Sequence, residues 1–103
     1  MKKLPFILLS LLVTMSVQAA GDAAAGKAKT TTCVACHGPS GVSMNPIWPN
    51  LAGQKDQYLV LQMKAFRDGA RQNDLMTPMA KPLSDQDIDD LAAYYSSVNC
   101  TGE

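Results

Sequence analysis

The chain has 103 residues, room for one domain at most, and its nine basic and nine acidic side chains leave a formal net charge of zero. That balance argues against nucleic acid as a partner, because phosphate binding needs a cationic excess. No internal repeat, low-complexity stretch or persuasive strand interrupts the reading.

The first segment reads as an address and not as part of the fold. Lys2 and Lys3 precede an apolar run from Leu4 to Val17, and Val17-Gln18-Ala19 presents small residues where a signal peptidase reads. Residues 1–19 are therefore expected to be a cleaved signal peptide, cut after about Ala19, and residues 20–103 the domain. The run is short for a membrane-spanning helix; an uncleaved anchor would alter tethering and not chemistry. Loss of Lys2 and Lys3 leaves the domain with a net charge of about −2.

Asp22 is a good N-cap, and Ala23, Ala24 and Ala25 are strong helix formers, so a helix is expected from Asp22 to about Cys36, stopped by Gly38-Pro39. Lys27 and Lys29 are placed toward solvent. Gly26 is costly inside a helix, which points to close approach by another helix.

Cys33-Val34-Ala35-Cys36-His37 carries the chemistry. Cys-x-x-Cys-His is the attachment sequence for a c-type haem: two thiols one helical turn apart reach two vinyl groups on one porphyrin edge, and the adjacent imidazole reaches the iron. A thioredoxin-like redox pair would need a preceding strand, and none is seen. A zinc site from Cys33, Cys36, His37 and Cys100 would use adjacent ligands, an unusual spacing. Haem attachment to thiols is made outside the cytoplasmic membrane, which agrees with an export signal and points to the periplasm.

Residues 38–53 are rich in glycine and proline and read as a long loop able to fold over one haem edge, bringing Ile47, Trp48 and Leu51 onto it. Trp48 is either a packing residue or an indole N–H donor to a haem propionate. A helix follows over 55–68, with Leu59, Met63 and Phe66 on its apolar stripe flanked by Tyr58 and Gln62, and Gly69 at its C′ position. Arg67 and Arg71 are read as solvated residues at its end. Pro78 and Pro82 make residues 70–82 an extended, stiff loop. Ser84 opens the last helix, with Ser84 and Asp87 resembling a capping box, and Leu83 and Ile88 a hydrophobic staple. Asp85, Asp87, Asp89 and Asp90 crowd its start, where the helix dipole favours them; an acidic docking patch is the sharper alternative. Ile88, Leu91, Ala92, Tyr95 and Val98 form its buried stripe, with Tyr94 able to reach Gly26.

His37 is the only histidine, so a second iron ligand must be another side chain, and methionine sulfur is the natural candidate. Met63 sits on a core stripe, and Met44 lies only seven residues beyond His37. Met76 and Met79 share the stiff loop, and spacing does not separate them.

The ordered set Cys33-Val34-Ala35-Cys36-His37-Gly38, Pro49-Asn50-Leu51-Ala52-Gly53-Gln54, Tyr58-Leu59, Phe66-Arg67-Asp68-Gly69, Met76, Leu83 to Ile88 and Leu91-Ala92-Ala93-Tyr94 resembles small bacterial class I c-type cytochromes. It is especially similar to one half of the dihaem periplasmic cytochromes and to their single-haem relatives. The resemblance implies an all-α cytochrome c fold, with three to four helices and long loops around one haem c held through Cys33 and Cys36. It implies His37 as proximal ligand, the Pro49 carbonyl as acceptor of the imidazole proton, and Met76 as distal ligand, with Met79 the alternative register. It also implies that the first and last helices cross near Gly26 and Tyr94.

An iron closed by histidine and methionine leaves one-electron transfer. The expected function is a periplasmic carrier, not an enzyme, docking transiently with redox proteins at the haem edge near Cys33 and Cys36, among them a membrane-bound oxidase or reductase. A haem gas sensor or peroxidase-like enzyme is the alternative and needs an open iron. Cys100 has no intramolecular partner once haem takes the other two cysteines, so it is a free thiol or links a dimer.

Overall fold

The computed structural model describes residues 1–5, 7, 10–13 and 21–103. The expected cleavage segment Val17-Gln18-Ala19 lies outside the described residues. Among the described residues every regular element is helical: α1 Ala23–Ala28, a 3-10 turn Thr30–Thr32, α2 Val34–His37, α3 Asp56–Asp68, α4 Met76–Ala80 and α5 Asp85–Ser97. No helix among them is long and apolar enough to cross a membrane.

Three to four helices were expected, and two local differences account for the five α-helices found among the described residues. The first is a break in the helix expected to run to Cys36. Asp22 caps α1 as anticipated, accepting from Ala24 N at 2.9 Å. Thr30 then turns its hydroxyl onto the Lys27 carbonyl at 2.8 Å, and Cys33 N bonds Thr30 O at 2.8 Å, a tighter i+3 closure. Three successive β-branched threonines with hydroxyls that compete for helix carbonyls are poor helix interior. The chain restarts as α2, with Cys33 as its N-cap.

The second difference is α4, which coils where an extended loop was expected. Asn73 is the reason. Its side-chain oxygen accepts from Leu75 N and Met76 N, both at 2.9 Å, and its own N–H donates to Thr77 Oγ1 at 3.0 Å. Pro78 falls within the first turn, where a backbone N–H has no helical acceptor, so its missing donor is tolerated.

The longer helices follow their local signals. α3 ends at Gly69 in the left-handed region, φ 89°. α5 opens with both bonds of the capping box, Asp87 N to Ser84 Oγ at 3.0 Å and Ser84 N to Asp87 Oδ2 at 2.9 Å. Ile88, Leu91, Ala92 and Tyr95 are buried along it, and Val98 is half-buried just past its end.

Helix α5 is the spine of the fold. On one side α1 crosses it at Gly26, where a β-carbon would overlap the Asp90 carbonyl and lie 2.9 Å from Tyr94 Cβ. On another side Leu59 of α3 joins Leu91, Ala92 and Tyr95 in a cluster that Cys33, Leu51, Val60, Met63, Leu83 and Tyr94 surround. The 38–53 loop is tied to the same spine: Leu51 N and Ala52 N bond Gly41 O at 2.7 and 3.0 Å, and Gly53 N bonds Tyr95 O at 2.9 Å.

Charge reinforces both contacts of α5, and here two expectations change. Lys29 is not simply solvated. Its ammonium bridges Asp90 Oδ2 at 2.7 Å and Asp87 Oδ1 at 2.9 Å. Asp90, only 3% exposed, also accepts from Asp22 N at 2.9 Å and Gln86 Nε2 at 2.8 Å, so all its donors hold the charged form. The Lys29 ammonium, then the Asp22 amide, pull its carboxyl down from 3.8 to about 2. Arg67 likewise spans Asp68 at 2.8 Å and Asp85 at 2.7 Å, joining α3 to the start of α5, and Arg71 stacks 4.5 Å from the Phe66 ring centre. Asp85, Asp87 and Asp90 are thus occupied inside the molecule, which favours capping and clasping over an acidic docking patch.

Candidate functional site

The site begins with the turn Cys33–His37. Cys33 O accepts from both Cys36 N at 3.3 Å and His37 N at 2.9 Å, so one tight turn carries both thiols and the imidazole. Both thiols are free and half-buried. Burial pushes the Cys33 thiol up, so it is held neutral. Gly38 ends the turn at φ 86°, and a β-carbon there would overlap the Val42 carbonyl, so glycine is required for the chain to leave His37 in this direction.

His37 is 6% exposed, and its Nδ1 lies 2.8 Å from the Pro49 carbonyl oxygen. A carbonyl only accepts, so Nδ1 carries the proton and the Nε2 lone pair is free to bind a metal. Such a bond also fixes the ring plane and makes the ligand more basic. The loop holds Pro49 for this task through a small net of bonds: Ser43 N to Asn50 Oδ1 at 2.7 Å, Ile47 N to Asn45 Oδ1 at 3.0 Å and Trp48 N to Asn45 O at 3.1 Å. Asn45 is a structural positioner that the sequence reading did not name, and Asn50, named there only as part of the resemblance, is another; an Asx side chain followed two residues on by a backbone donor is the signal that marks Asn45.

Trp48 is half-buried and lines a hollow with Val34, Ala35, Cys36, Met44 and Asn45, which places its ring beside the attachment turn. Of the four candidate methionines, Met63 packs against the core cluster and Met44 is exposed in the loop. Met76 is half-buried at the first position of α4, under the Asn73 cap, whereas Met79 is 41% exposed. Cys100 is exposed beside Gly53, where a β-carbon would come 3.2 Å from Cys100 Cβ. It is not gathered with Cys33, Cys36 and His37: among the described residues no three such groups stand close enough to share a metal ion. The four groups of the zinc alternative are not assembled into one site.

The residue whose polar atom the sequence reading overlooked is Tyr95. It was expected only to fill the core. Its ring does so, in the cluster that Cys33 borders, but its hydroxyl is buried with no hydrogen-bond partner. Two features therefore fit a covalently held haem: a histidine already oriented by a carbonyl with Nε2 open, and a buried hydroxyl left without a partner in the cluster that Cys33 borders.

Comparison with known proteins agrees. The family model for cytochrome c matches residues 23–99. Cytochrome c-554(548) of Halomonas halodenitrificans is 60% identical over 81 residues, covering 76% of this chain and 98% of that protein. Cytochrome c4 of Pseudomonas aeruginosa is 50% identical over 96 residues, covering 93% of this chain and 48% of that one. The crystal structure of reduced recombinant cytochrome c4 from Pseudomonas stutzeri superposes with a TM-score of 0.74 at 44% identity, over 77% of this chain and 46% of that chain. A thiosulfate dehydrogenase from Marichromatium purpuratum also superposes with a TM-score of 0.74, at 35% identity, over 81% of this chain and 20% of that chain. The chain thus spans nearly all of the c-554(548) protein and about half the length of the cytochromes c4 it matches.

Proposed function

The chain belongs to the cytochrome c family, and on that premise we propose that it is a periplasmic one-electron carrier built on one haem c. Cys33 and Cys36 are the attachment thiols, His37 Nε2 one iron donor and the Met76 thioether the other. The single observation that carries this reading is the 2.8 Å bond from His37 Nδ1 to the Pro49 carbonyl, which prepares Nε2 as a ligand in a fixed direction. The half-burial of Met76, against the exposure of Met79, supports the assignment of the second ligand.

A haem c held here supplies an iron that cycles between Fe(III) and Fe(II). The protein's own part is to keep that change cheap in reorganisation. His37 is locked by Pro49, Pro49 by the Asn45 and Asn50 bonds, and Met76 by the Asn73 cap, so neither ligand has to move between oxidation states. Histidine–methionine ligation raises the potential, and the apolar cluster of Leu59, Leu91 and Ala92, against which Cys33 packs, disfavours the more charged ferric state. Electrons would leave by the edge that Cys33 and Cys36 hold, through a small transient contact with a redox partner.

Residues 1–19 serve as the export signal in this proposal, and the partners are redox proteins, a dehydrogenase or a membrane-bound oxidase or reductase among them. A relative named thiosulfate dehydrogenase electron acceptor, from Thiomonas intermedia, is 45% identical over 82 residues, which supports the role of an acceptor for an enzyme rather than of the enzyme. The match to a fifth of a thiosulfate dehydrogenase chain favours a second reading, an electron-carrying part of a larger complex; the site chemistry is the same in both.

Visible and near-infrared spectra of the purified periplasmic protein, oxidised and reduced, test the proposal. A low-spin c-type spectrum with the methionine–iron charge-transfer band is expected. A high-spin spectrum, or one that carbon monoxide shifts, would replace the carrier with an open-iron sensor or enzyme.

A further inference from the structure

Met76 opens a helix of only five residues, Met76–Ala80, too short to hold its shape by itself. Its far end is anchored. Ala80 is fully buried, Lys81 N bonds Thr77 O at 3.1 Å, and Leu83 N bonds Ala80 O at 3.0 Å. The approach to its near end is different: every residue from Gly69 to Leu75 is exposed. The last of them bonded to another helix is Arg71, whose guanidinium donates to Gln62 Oε1 at 2.7 Å and stacks on Phe66.

Between Arg71 and Met76 the chain is held by Asn73. Its side-chain oxygen accepts from Leu75 N and Met76 N, both at 2.9 Å. Its own N–H donates to Thr77 Oγ1 at 3.0 Å, and its carbonyl accepts from Thr77 N at 3.0 Å. Four bonds thus close one turn around Met76, where the incoming chain has no packing of its own. Segments whose backbone bonds are exposed and whose buried contacts are few open first, well before the core. Pro49, which holds the other candidate ligand, is itself fixed by the Asn45 and Asn50 bonds of a loop tied to α5 through Gly53 N and Tyr95 O.

We infer that Asn73 is a positioning residue for the second iron ligand: its side chain latches the turn that carries Met76, and opening of that latch frees the thioether and lets a small external ligand reach the iron. The inference rests on the haem c reading above, with Met76 as the donor. Asn73 acts through the backbone of Met76 and not on the iron.

The test compares the ferric holoproteins of wild type, Asn73→Ala, Asn73→Asp and Gly26→Ala. The wild-type near-infrared spectrum comes first; absence of the methionine–iron charge-transfer band would overturn the ligand assignment itself, apart from anything Asn73 does. Imidazole is then added, and its affinity and rate of binding are read from the loss of that band. Removal of a side-chain cap should make Asn73→Ala bind imidazole about fivefold more readily. Asn73→Asp keeps the acceptor oxygen and should stay near wild type. Gly26→Ala loosens the crossing of α1 and α5, away from this turn, and should leave imidazole binding as it was. A response in Asn73→Ala no greater than that in Gly26→Ala, or an equal response in Asn73→Asp, would overturn the inference. If Asn73→Ala fails to hold haem, Thr77→Val, which removes only the hydroxyl that accepts from Asn73 N, takes its place: a response above that of Gly26→Ala supports the latch, and one no greater overturns it.

Discussion

Gly26→Ala probes the contact that holds the first and last helices together. The added β-carbon would overlap the Asp90 carbonyl oxygen and come 2.9 Å from Tyr94 Cβ. The oxygen belongs to helix backbone and cannot rotate away, so α1 and α5 must separate. Separation also pulls on the Asp22 N–Asp90 bond of 2.9 Å and the Lys29–Asp90 pair of 2.7 Å. Overpacking against a fixed neighbour falls toward the upper end of about 1–3 kcal/mol. Alanine returns about 1 kcal/mol of helix propensity. The net destabilisation is therefore about 2 kcal/mol, which for a domain of this size lowers the melting temperature by roughly 8–16 °C. Thermal melts of the holoprotein, followed in the haem band and by far-ultraviolet circular dichroism, measure it. The room-temperature spectrum should stay native, because no ligand is touched. An unchanged or higher melting temperature would mean that the helices do not cross as closely as Gly26 and Asp90 place them.

Asp90→Asn should flatten the acid limb of stability. The wild-type carboxyl titrates near 2 in the folded chain against an ordinary 3.8, so its contribution is complete above that ordinary value and is lost as pH falls through the interval to about 2. Denaturant unfolding across that pH range checks this, and parallel profiles for the two proteins would contradict it. Met76→Ala should abolish the methionine–iron charge-transfer band while haem stays covalently attached, and Met79→Ala should keep the band; near-infrared spectra of both variants would reverse the assignment if only Met79→Ala lost it. Cys100→Ser should leave the spectrum and the melting temperature as in wild type, because Cys100 is exposed and stands outside the attachment turn. Haem loss in that variant would place the thiol in the site after all.

The features readable from the sequence are those whose physics closes within a few residues. The attachment motif is contiguous, Cys33 to His37. The Ser84–Asp87 capping box and the Asp22 cap are short side-chain-to-backbone loops, and the Gly69 stop needs only a left-handed residue at a helix end. The apolar stripe of α5 repeats at helical spacing and is buried as that spacing implies. Two local signals were overridden by other local signals: the Thr30 hydroxyl outcompeted the helix that alanines had started, and the Asn73 cap coiled a stretch whose prolines read as extended.

What the sequence by itself determined, then, is the chemistry of the Cys33–His37 turn and the helical character of the chain around it. The resemblance had implied the bond of Pro49 O with His37 Nδ1, but only the tertiary structure decided that Lys29 meets Asp90, Arg67 meets Asp85 and Gly53 meets the Tyr95 carbonyl. Residue type announces that a buried hydroxyl or carboxylate needs a partner, but the partner is chosen by how helices cross. That choice depends on packing across separations of 18 to 61 residues, a distance over which periodicity carries no information.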